Sequence, residues 1–509
     1  MSLQGALAIA TGGLDNISYG MAALSQNIAN ASTPQYALET ATQTSVTAGG
    51  QPDGVASGIT IAASDPALQN QVAAQTSSAS EATTISNALS TLQPVLGSVG
   101  SGNDLGSQLT NLQSAFSTLL TDPGNTTQQS AVVSSASSLA SGLNALAASY
   151  GQATQAAQNS LVSGVAQLNT ALATIGTLNT QIILLQSEGV STADLQNQMS
   201  AAENSVSQLV DASFVTQTNG SVAVITAGGA QLPTTGSPTL SIDNATTAPS
   251  VYYPGGGLPG IMLGSTDITS QITGGSLGAN ITLRDSTLPS YQASLDEFSE
   301  DLSNRFAAQG LTLFTDSTGT IPQSNGGAGQ SGYVGYSETI QVNPTVLANP
   351  SLVRDGTNAV TGSATGASAF TPNPSGGDAG FTTLINRILT YGLGDDVQAG
   401  VSQTPMATTG LGNTGTLSTG FGAQTTLTGY ANALTAAQSA DSASATSQAS
   451  DATALQTSLQ SKLTAATGVD LDTELGQMVT LQNAYGANAH VISAIETVFT
   501  YLMDIEPTT

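Results

Sequence analysis

The strongest constraint on this chain is a pair of heptad stripes, one at each end. Leu3, Leu7, Ala10, Leu14, Ile17, Met21, Leu24 and Ile28 are spaced alternately four and three residues apart. An apolar repeat of this kind keeps one seam of a helix against a partner and winds the pair left-handed. At 1.5 Å per residue the helix would run about 40 Å. Gly12 and Gly13 each weaken it by about 1 kcal/mol relative to Ala. A helix of this composition is marginal alone, so it needs a partner.

The other end supplies one. Over residues 470–505 two stripes adjoin. One is Leu475, Met478, Tyr485, Ala489, Ile492, Phe499 and Met503; the other is Leu481, Ala484, Val491, Ile495, Val498, Leu502 and Ile505. So wide an apolar face buries more than one side. One side suits the N-terminal helix. The other has no partner left in the chain, which favours neighbouring subunits over a simple two-helix contact.

Between the ends the pattern shifts twice. Residues 66–210 are rich in Ala, Ser, Gln and Leu at helical spacing. Leu109, Leu112, Phe116 and Leu119, then Leu139, Leu143, Leu146 and Tyr150, give two helices with the turn TDPGN between them. Leu161, Val165, Leu168, Leu172, Ile175 and Ile182 keep heptad register, with Asn179 at a core position or turned to solvent. From about 212 the pattern becomes β, with Asn219-Gly220 as a hairpin signal. Helix returns over 288–308, a Gly- and Ser-rich mixed stretch follows, and residues 430–466 are helical again.

The expected fold is mainly α with an inserted β domain: a rod of long helices formed by both termini, carrying a β-rich side domain. Its parts are a terminal coiled-coil domain (1–45 and 468–509), a helical body (46–210 and 282–467, with a second mixed insertion over about 310–377) and a β-rich insertion (211–281).

Composition narrows the function. Of 509 residues only 7% are charged, 32 acidic against 5 basic, for a net charge of −27. The first basic side chain is Arg284 and the only lysine is Lys462. Nucleic-acid binding needs clustered Lys and Arg, which are missing here. Anionic membrane surfaces would repel the chain, and no apolar run reaches the roughly 20 residues that span a bilayer. The first residues lack the basic start of a cleavable secretory signal. With Cys 0 in the composition, disulfides and thiolate sites are ruled out together. That suits passage between redox compartments, and the scarcity of Lys suits an acidic medium.

Chemistry is sparse. His490 is the sole histidine, too few for a His-rich metal site or a Ser-His-Asp triad. Asp296, Glu297, Glu300 and Asp301, and Asp395 with Asp396, are paired carboxylates of the kind glycosidases use. They are expected instead to form a solvated acidic face, with Asp301 paired to Arg305 one helical turn on. The Gly-rich runs at 255–260 and 410–422 lack the Lys of a phosphate loop. No cofactor or metal is expected, and the chain does not read as an enzyme.

The two ends also carry a family resemblance. Gly13-Leu14, then Ser25, Asn27, Ile28, Ala29, Asn30, Thr33, Pro34 and Tyr36, match the pattern GL…SxNIANxxTPxY. This resembles the N-terminal signature of the flagellar rod, hook and hook-associated proteins. Gln482, Ala484, Tyr485, Ala487, Asn488, Ala489, Val491, Ile492 and Ser493 match the corresponding C-terminal pattern. Residues 274–306, with GGSLG, RD, LP and LD in order, are similar to a segment of the hook-associated protein 1 family, the first hook–filament junction protein.

The resemblance implies a structural adaptor joining hook to filament, exported without a cleaved signal by the flagellar type III apparatus and extracellular on the flagellum. Its implied partners are its own copies in a ring, the hook protein, the second junction protein and an export chaperone. The implied assembly residues are the N-terminal heptad set and Tyr485, Asn488, Val491, Ile492, Ile495, Phe499 and Leu502. A hook or distal rod protein is the nearest rival, and a secreted acidic adhesin the rival of another class. The chain departs from the family at Gln35, where Gly is usual. Pro34 disfavours helix at Thr33 and Asn30, Ser32 and Thr33 compete for backbone groups, so 24–36 reads as a sharp helix stop. A positive φ at Gln35 would be strained.

Overall fold

The computed structural model describes residues 3–48, 51–236, 239–327 and 329–503. The expected α1 spans Leu3–Asn30. An antiparallel hairpin follows, β1 (Glu39–Ala48) and β2 (Gln51–Ala62). Assigning 46–62 to a helical body is therefore wrong. Over 39–62 the Thr, Val and Ile residues suit a pleated surface, and Gly49-Gly50 in the sequence is a hairpin signal.

The body begins with α2 (Pro66–Ser90), whose N-cap Asp65 accepts from the Leu68 amide and whose first residue is Pro66. A short α3 (Gln93–Leu96) leads to α4 (Leu105–Thr121). The TDPGN turn lies where expected. Asn125 accepts from the Thr127 and Gln128 amides and so starts α5 (Thr126–Glu188), a single helix of 63 residues. At 1.5 Å per residue it runs about 95 Å. Left-handed Gly189 ends it (φ 72°). One 18-residue window of α5 has mean hydropathy 1.3, long and apolar enough to cross a membrane by composition. Leu139, Leu143 and Leu146, and Leu161, Leu168 and Ile175, instead lie in protein cores.

After α6 (Ala193–Leu209) come two small antiparallel sheets. One is β3 (Ala212–Thr216), β4 (Val222–Thr226) and β5 (Gln231–Leu232), with Asn219-Gly220 at the first turn. The other is β6 (Leu240–Ser241), β7 (Met262–Leu263) and β8 (Thr266–Asp267). The insertion ends earlier than expected, because α7 (Gly275–Thr282) begins before residue 281. A π-helical turn, Leu283–Thr287, joins α7 to α8 (Leu288–Ala308).

The β insertion has no core of its own. Val222, Val224, Leu232 and Leu240 share one apolar cluster with Leu161, Leu168, Ile175 and Ile182 of α5 and Val206 of α6. Asn179 is neither a coiled-coil register residue nor solvent-facing. Its amide donates to the Val222 carbonyl (2.9 Å) and accepts from the Val222 amide (2.7 Å), pinning β4 to α5. Asn169 does the same to Leu240, at 2.8 and 3.1 Å.

The mixed region holds β9 (Phe314–Thr315) paired with β10 (Gln341–Val342), and short helices α9 (Tyr336–Thr339), α10 (Pro344–Ala348), α11 (Leu352–Asp355) and α12 (Thr383–Arg387). Two hairpins follow: β11 (Asp396–Gln398) with β12 (Val401–Ser402), and β13 (Thr409–Leu411) with β14 (Leu417–Ser418). Finally α13 (Leu427–Thr467) packs along α2, and α14 (Leu471–Met503) returns along α1.

The acidic cluster on α8 is not a solvated face. Asp296 is 1% exposed and accepts from the Gly335 and Ser337 amides, the Ser337 hydroxyl and the Gln292 amide. Buried Glu297 accepts from the Tyr333 hydroxyl (2.8 Å) and the Ala407 amide (2.9 Å). These carboxylates anchor loops onto a helix that is covered all round. The expected Asp301–Arg305 pair does form, at 2.6 Å.

Candidate assembly interface at the paired termini

Helices α1 and α14 run antiparallel in a seven-residue register. A Cβ on Gly13 would sit 3.1 Å from Asn488 Nδ2, and one on Gly20 3.2 Å from Leu481 Cδ1. Asn27 Nδ2 donates to Glu474 Oε2 at 2.9 Å. Each step of seven up α1, from 13 to 20 to 27, is matched by a step of seven down α14, from 488 to 481 to 474. Gly13, which weakens α1 as an isolated helix, and Gly20 let the two backbones approach here. On its other flank α1 meets the hairpin, where Tyr19 and Thr60 share a hydroxyl hydrogen bond of 2.7 Å.

Within α1 the heptad set is covered throughout. Ala10, Ile17 and Leu24 are buried, and Leu3, Leu7, Leu14, Met21 and Ile28 are half-buried. The C-terminal set divides. The row Glu474, Leu481, Asn488 and Ile495 is seated, with Ile495 buried and Asn488 against Gly13. The row Met478, Tyr485, Ile492 and Phe499 flanks it on one side and Ala484, Val491 and Val498 on the other. Ile492 and Phe499 are half-buried; Tyr485, Val491 and Val498 are between 42% and 48% exposed. Leu502 is 64% exposed, beyond the start of α1. The covered face thus cuts across both expected stripes. Ile505, assigned to the second, lies outside the described residues.

The joint closing α1 is built around Asn27, which is 1% exposed. Its Nδ2 donates to the Glu39 carbonyl and to Glu474, each at 2.9 Å. Its Oδ1 accepts from the Glu39 amide (2.9 Å) and the Tyr36 hydroxyl (3.1 Å). One side chain therefore ties α1, the hairpin and α14 together. Glu474 sits in the first turn of α14, where a carboxylate opposes the helix dipole. Asn30 turns its amide back to the Gln26 carbonyl (3.0 Å) and accepts from the Thr33 hydroxyl (3.3 Å). Ser25 donates back to the Met21 carbonyl, and exposed Pro34 fixes the exit.

Gln35 has φ 66°, the one positive φ at a non-glycine among the described residues. The family's usual glycine would adopt it without a Cβ clash. The next residues are clamped by partners no sequence pattern flags. Asn197 of α6 bonds both the amide and carbonyl of Ala37 (2.8 and 3.2 Å), and the Leu38 amide donates to the Thr467 carbonyl at the end of α13 (2.7 Å). Burial raises the Tyr36 hydroxyl, helped by the Glu39 carboxylate, and burial raises Glu39 itself. Glu203 lines the cavity beneath this joint, where burial pushes it up to about 7.

The segment 274–306 lies away from the termini, and its motif positions have internal duties. Gly274 and Gly275 have φ 63° and 57°, and a Cβ on Gly275 would strike the α6 backbone. Arg284 is 1% exposed; it pairs with Asp285 (2.6 Å) and donates to Gln158 (2.7 Å) and the Pro259 carbonyl (2.9 Å). Tyr291 donates to Asp441 of α13 at 2.7 Å. Among the described residues no group of three or more His, Asp or Glu side chains is placed to hold a metal.

These features define a mainly helical protein whose two ends form one coil, seated on a hairpin and left apolar on both flanks of its outer helix. A family model described as the flagellar hook-associated protein FlgK helical domain matches residues 89–320, from the end of α2 through α8 and including 274–306. Among solved structures, the flagellar hook junction protein FlgK from Burkholderia pseudomallei is similar at 26% identity and a TM-score of 0.41. The match covers 51% of this chain and 47% of that one, so it spans less than half of that protein's length. Comparison with curated proteins gives no match.

Proposed function

We propose that this protein is a structural component of the bacterial flagellar axis, an adaptor that joins hook to filament. Its partners are further copies of itself in a ring, the hook protein, the second junction protein and an export chaperone. It leaves the cell unfolded through the flagellar type III route and is extracellular when assembled. The observation that carries this reading is the pairing of a FlgK-type helical domain with a terminal coil whose outer helix keeps apolar flanks. Packing those flanks against neighbouring coils buries Tyr485, Val491, Ile492, Val498 and Phe499 and orders the ends at assembly. Asp296 and Glu297, two of the carboxylates a glycosidase would use, instead accept hydrogen bonds that hold loops to α8.

The test is deletion of residues 491–509. The truncated chain should still be exported and found in the medium, while cells lack filaments and do not swim. Normal motility from the truncation would end the proposal.

A further inference from the structure

Two hollows lie beneath the joint between the terminal coil and the body. The inner one, about 50 Å³, is walled by Val72 and Ala73 of α2, Leu463 of α13 and Glu203 of α6. The outer one, about 450 Å³, opens along the 31–36 turn and α13. Gln35, Tyr36, Asn204, Gln460 and Thr464 line both, so the two are continuous.

Glu203 is the one carboxylate on the inner wall. Its carboxyl accepts no hydrogen bond among the described residues, and burial alone raises it, to about 7. Its oxygens are not sealed in the core; they keep surface open to the hollow. No cation of the chain serves it. The wall from α2 is Gln69, Val72 and Ala73, and that from α13 is Gln460, Leu463, Thr464 and Thr467. The joint adds Gln35, Tyr36 and Ala37, and α6 itself adds Ser200 and Asn204. Tyr36 is the other titratable group there, and its hydroxyl is bound to Asn27. Lys462 is exposed and off the wall. Arg284, Arg305 and Arg354 are paired with Asp285, Asp301 and Asp355, and Arg387 is bound to the Gln309 and Ser368 carbonyls.

The side-chain amides of Gln35, Gln69, Asn204 and Gln460 stand around this carboxyl, and none is hydrogen-bonded among the described residues. Each offers a carbonyl acceptor. Gln35 is also the residue with the strained φ of 66°, and strain of that kind collects at functional positions.

These groups select a ligand chemistry. An unpaired carboxylate takes a cation, which the net charge of −27 attracts. Among the described residues no second or third His, Asp or Glu joins it to hold a metal. A hollow of this size holds a water-sized group such as an ammonium. A quaternary ammonium has no N–H for the amides and is suited instead to an aromatic cage. A primary ammonium has three N–H donors, which match one carboxylate and flanking amide carbonyls. Val72 and Leu463 suit the methylene stem behind it. We propose that this hollow binds a primary ammonium group on an alkyl stem, seated on Glu203, brought by a partner protein's lysine or by a free polyamine. The site is separate from the apolar flanks of α14 and does not depend on the hook–filament reading.

Saturation-transfer difference NMR titrations of the full chain test this, with n-butylammonium as the probe and 1-butanol as its neutral counterpart. At pH 8 n-butylammonium should bind saturably, and 1-butanol at least tenfold more weakly. The ionised carboxylate is the binding form, so affinity for n-butylammonium should fall about tenfold from pH 8 to pH 6. Glu203→Gln, which keeps the shape and removes one charge, should weaken binding at least tenfold. Glu188→Gln, which removes the same charge from the exposed end of α5, should leave it unchanged. Tighter binding of spermidine than of Nα-acetyl-lysine methylamide assigns the site to a free amine, and the reverse order to a protein lysine. No binding of n-butylammonium, equal binding of 1-butanol, or binding unchanged in Glu203→Gln would overturn the proposal.

Discussion

Helices α8 and α14 are both long and amphipathic, yet 14 of the 21 residues of α8 are buried and only 2 of the 33 in α14. Every face of α8 is filled from within the chain: Phe298 stacks near Tyr430, Phe306 meets Phe116 and Phe314, and even its carboxylates are matched by loop amides. In α14 only the row opposite α1 is matched. The first helix is complete, whereas the second keeps apolar flanks that the proposed assembly would cover. A chain that folds its body alone and leaves its ends unfinished couples the remaining stabilisation to association.

The largest expected effect breaks this contrast if it fails. Phe298→Ala in α8 should cost about 3–5 kcal/mol in chemical denaturation of the soluble protein. Tyr485→Ala in α14 should cost within about 0.5 kcal/mol, as exposed sites do. Similar losses at both positions would show that α14 is already packed in the isolated chain.

Asn27→Ala falls between them. It strips partners from the buried Glu474 carboxylate and the Glu39 amide, so the coil and joint should lose about 2–4 kcal/mol. Proteolysis near residues 30–38 should accelerate while the α8 core stays intact. Asn27→Asp is expected to be as damaging, because it sets a second carboxylate against Glu474. Unchanged proteolysis in both variants would remove the hub from the account.

The body should also respond to acid in a definite direction. Burial pushes Asp296 and Asp301 up to about 6, and Glu300 up to about 7. A carboxyl whose folded pKa is raised contributes stability that is complete below its unfolded value of about 4. That contribution is lost as pH rises through about 6–7. Against the opposing effect of burial, hydrogen bonds from the Ser107 hydroxyl and amide hold Asp104 below its ordinary value. Hydrogen bonds from Arg354 and Asn373 do the same for Asp355. Those contributions vanish below about pH 4. The denaturation midpoint should therefore peak near pH 5, and a midpoint that climbs steadily to pH 8 contradicts the burial of the α8 carboxylates.

The smallest expected effect is a gain. Gln35→Gly relieves a left-handed residue and should stabilise the joint by about 1 kcal/mol. Gln35→Val should cost more than that, since a β-branched side chain fits a positive φ worst. Equal stability of all three chains would show that the φ carries no strain.

What was legible in the sequence follows from how local the cause is. The α1 heptad, the stop at Pro34, the TDPGN turn and the 288–308 helix each rest on residues adjacent in the chain, and each appears. The strained Gln35 was visible because one residue stands where a glycine is usual. The hairpin at 39–62 was missed despite its Gly49-Gly50 turn signal, since its Thr, Ser and Ala residues alternate weakly and α1 supplies the surface it lies on. The α8 carboxylates misled for the same reason. Asp296 looks solvated until the amides of Gly335 and Ser337 arrive from about forty residues away. Asn197 and Thr467, which clamp the joint, have no local signature. The covered face of α14 is set by its register with α1, which a stripe on one helix cannot reveal.

Amide hydrogen exchange, compared between soluble protein and assembled flagella, tests the central claim most directly. In the soluble chain, peptides from α8 should exchange slowly and peptides from residues 478–503 quickly, and the latter should become protected on assembly. Protection of α14 equal to that of α8 in the soluble chain, or no gain on assembly, would contradict it.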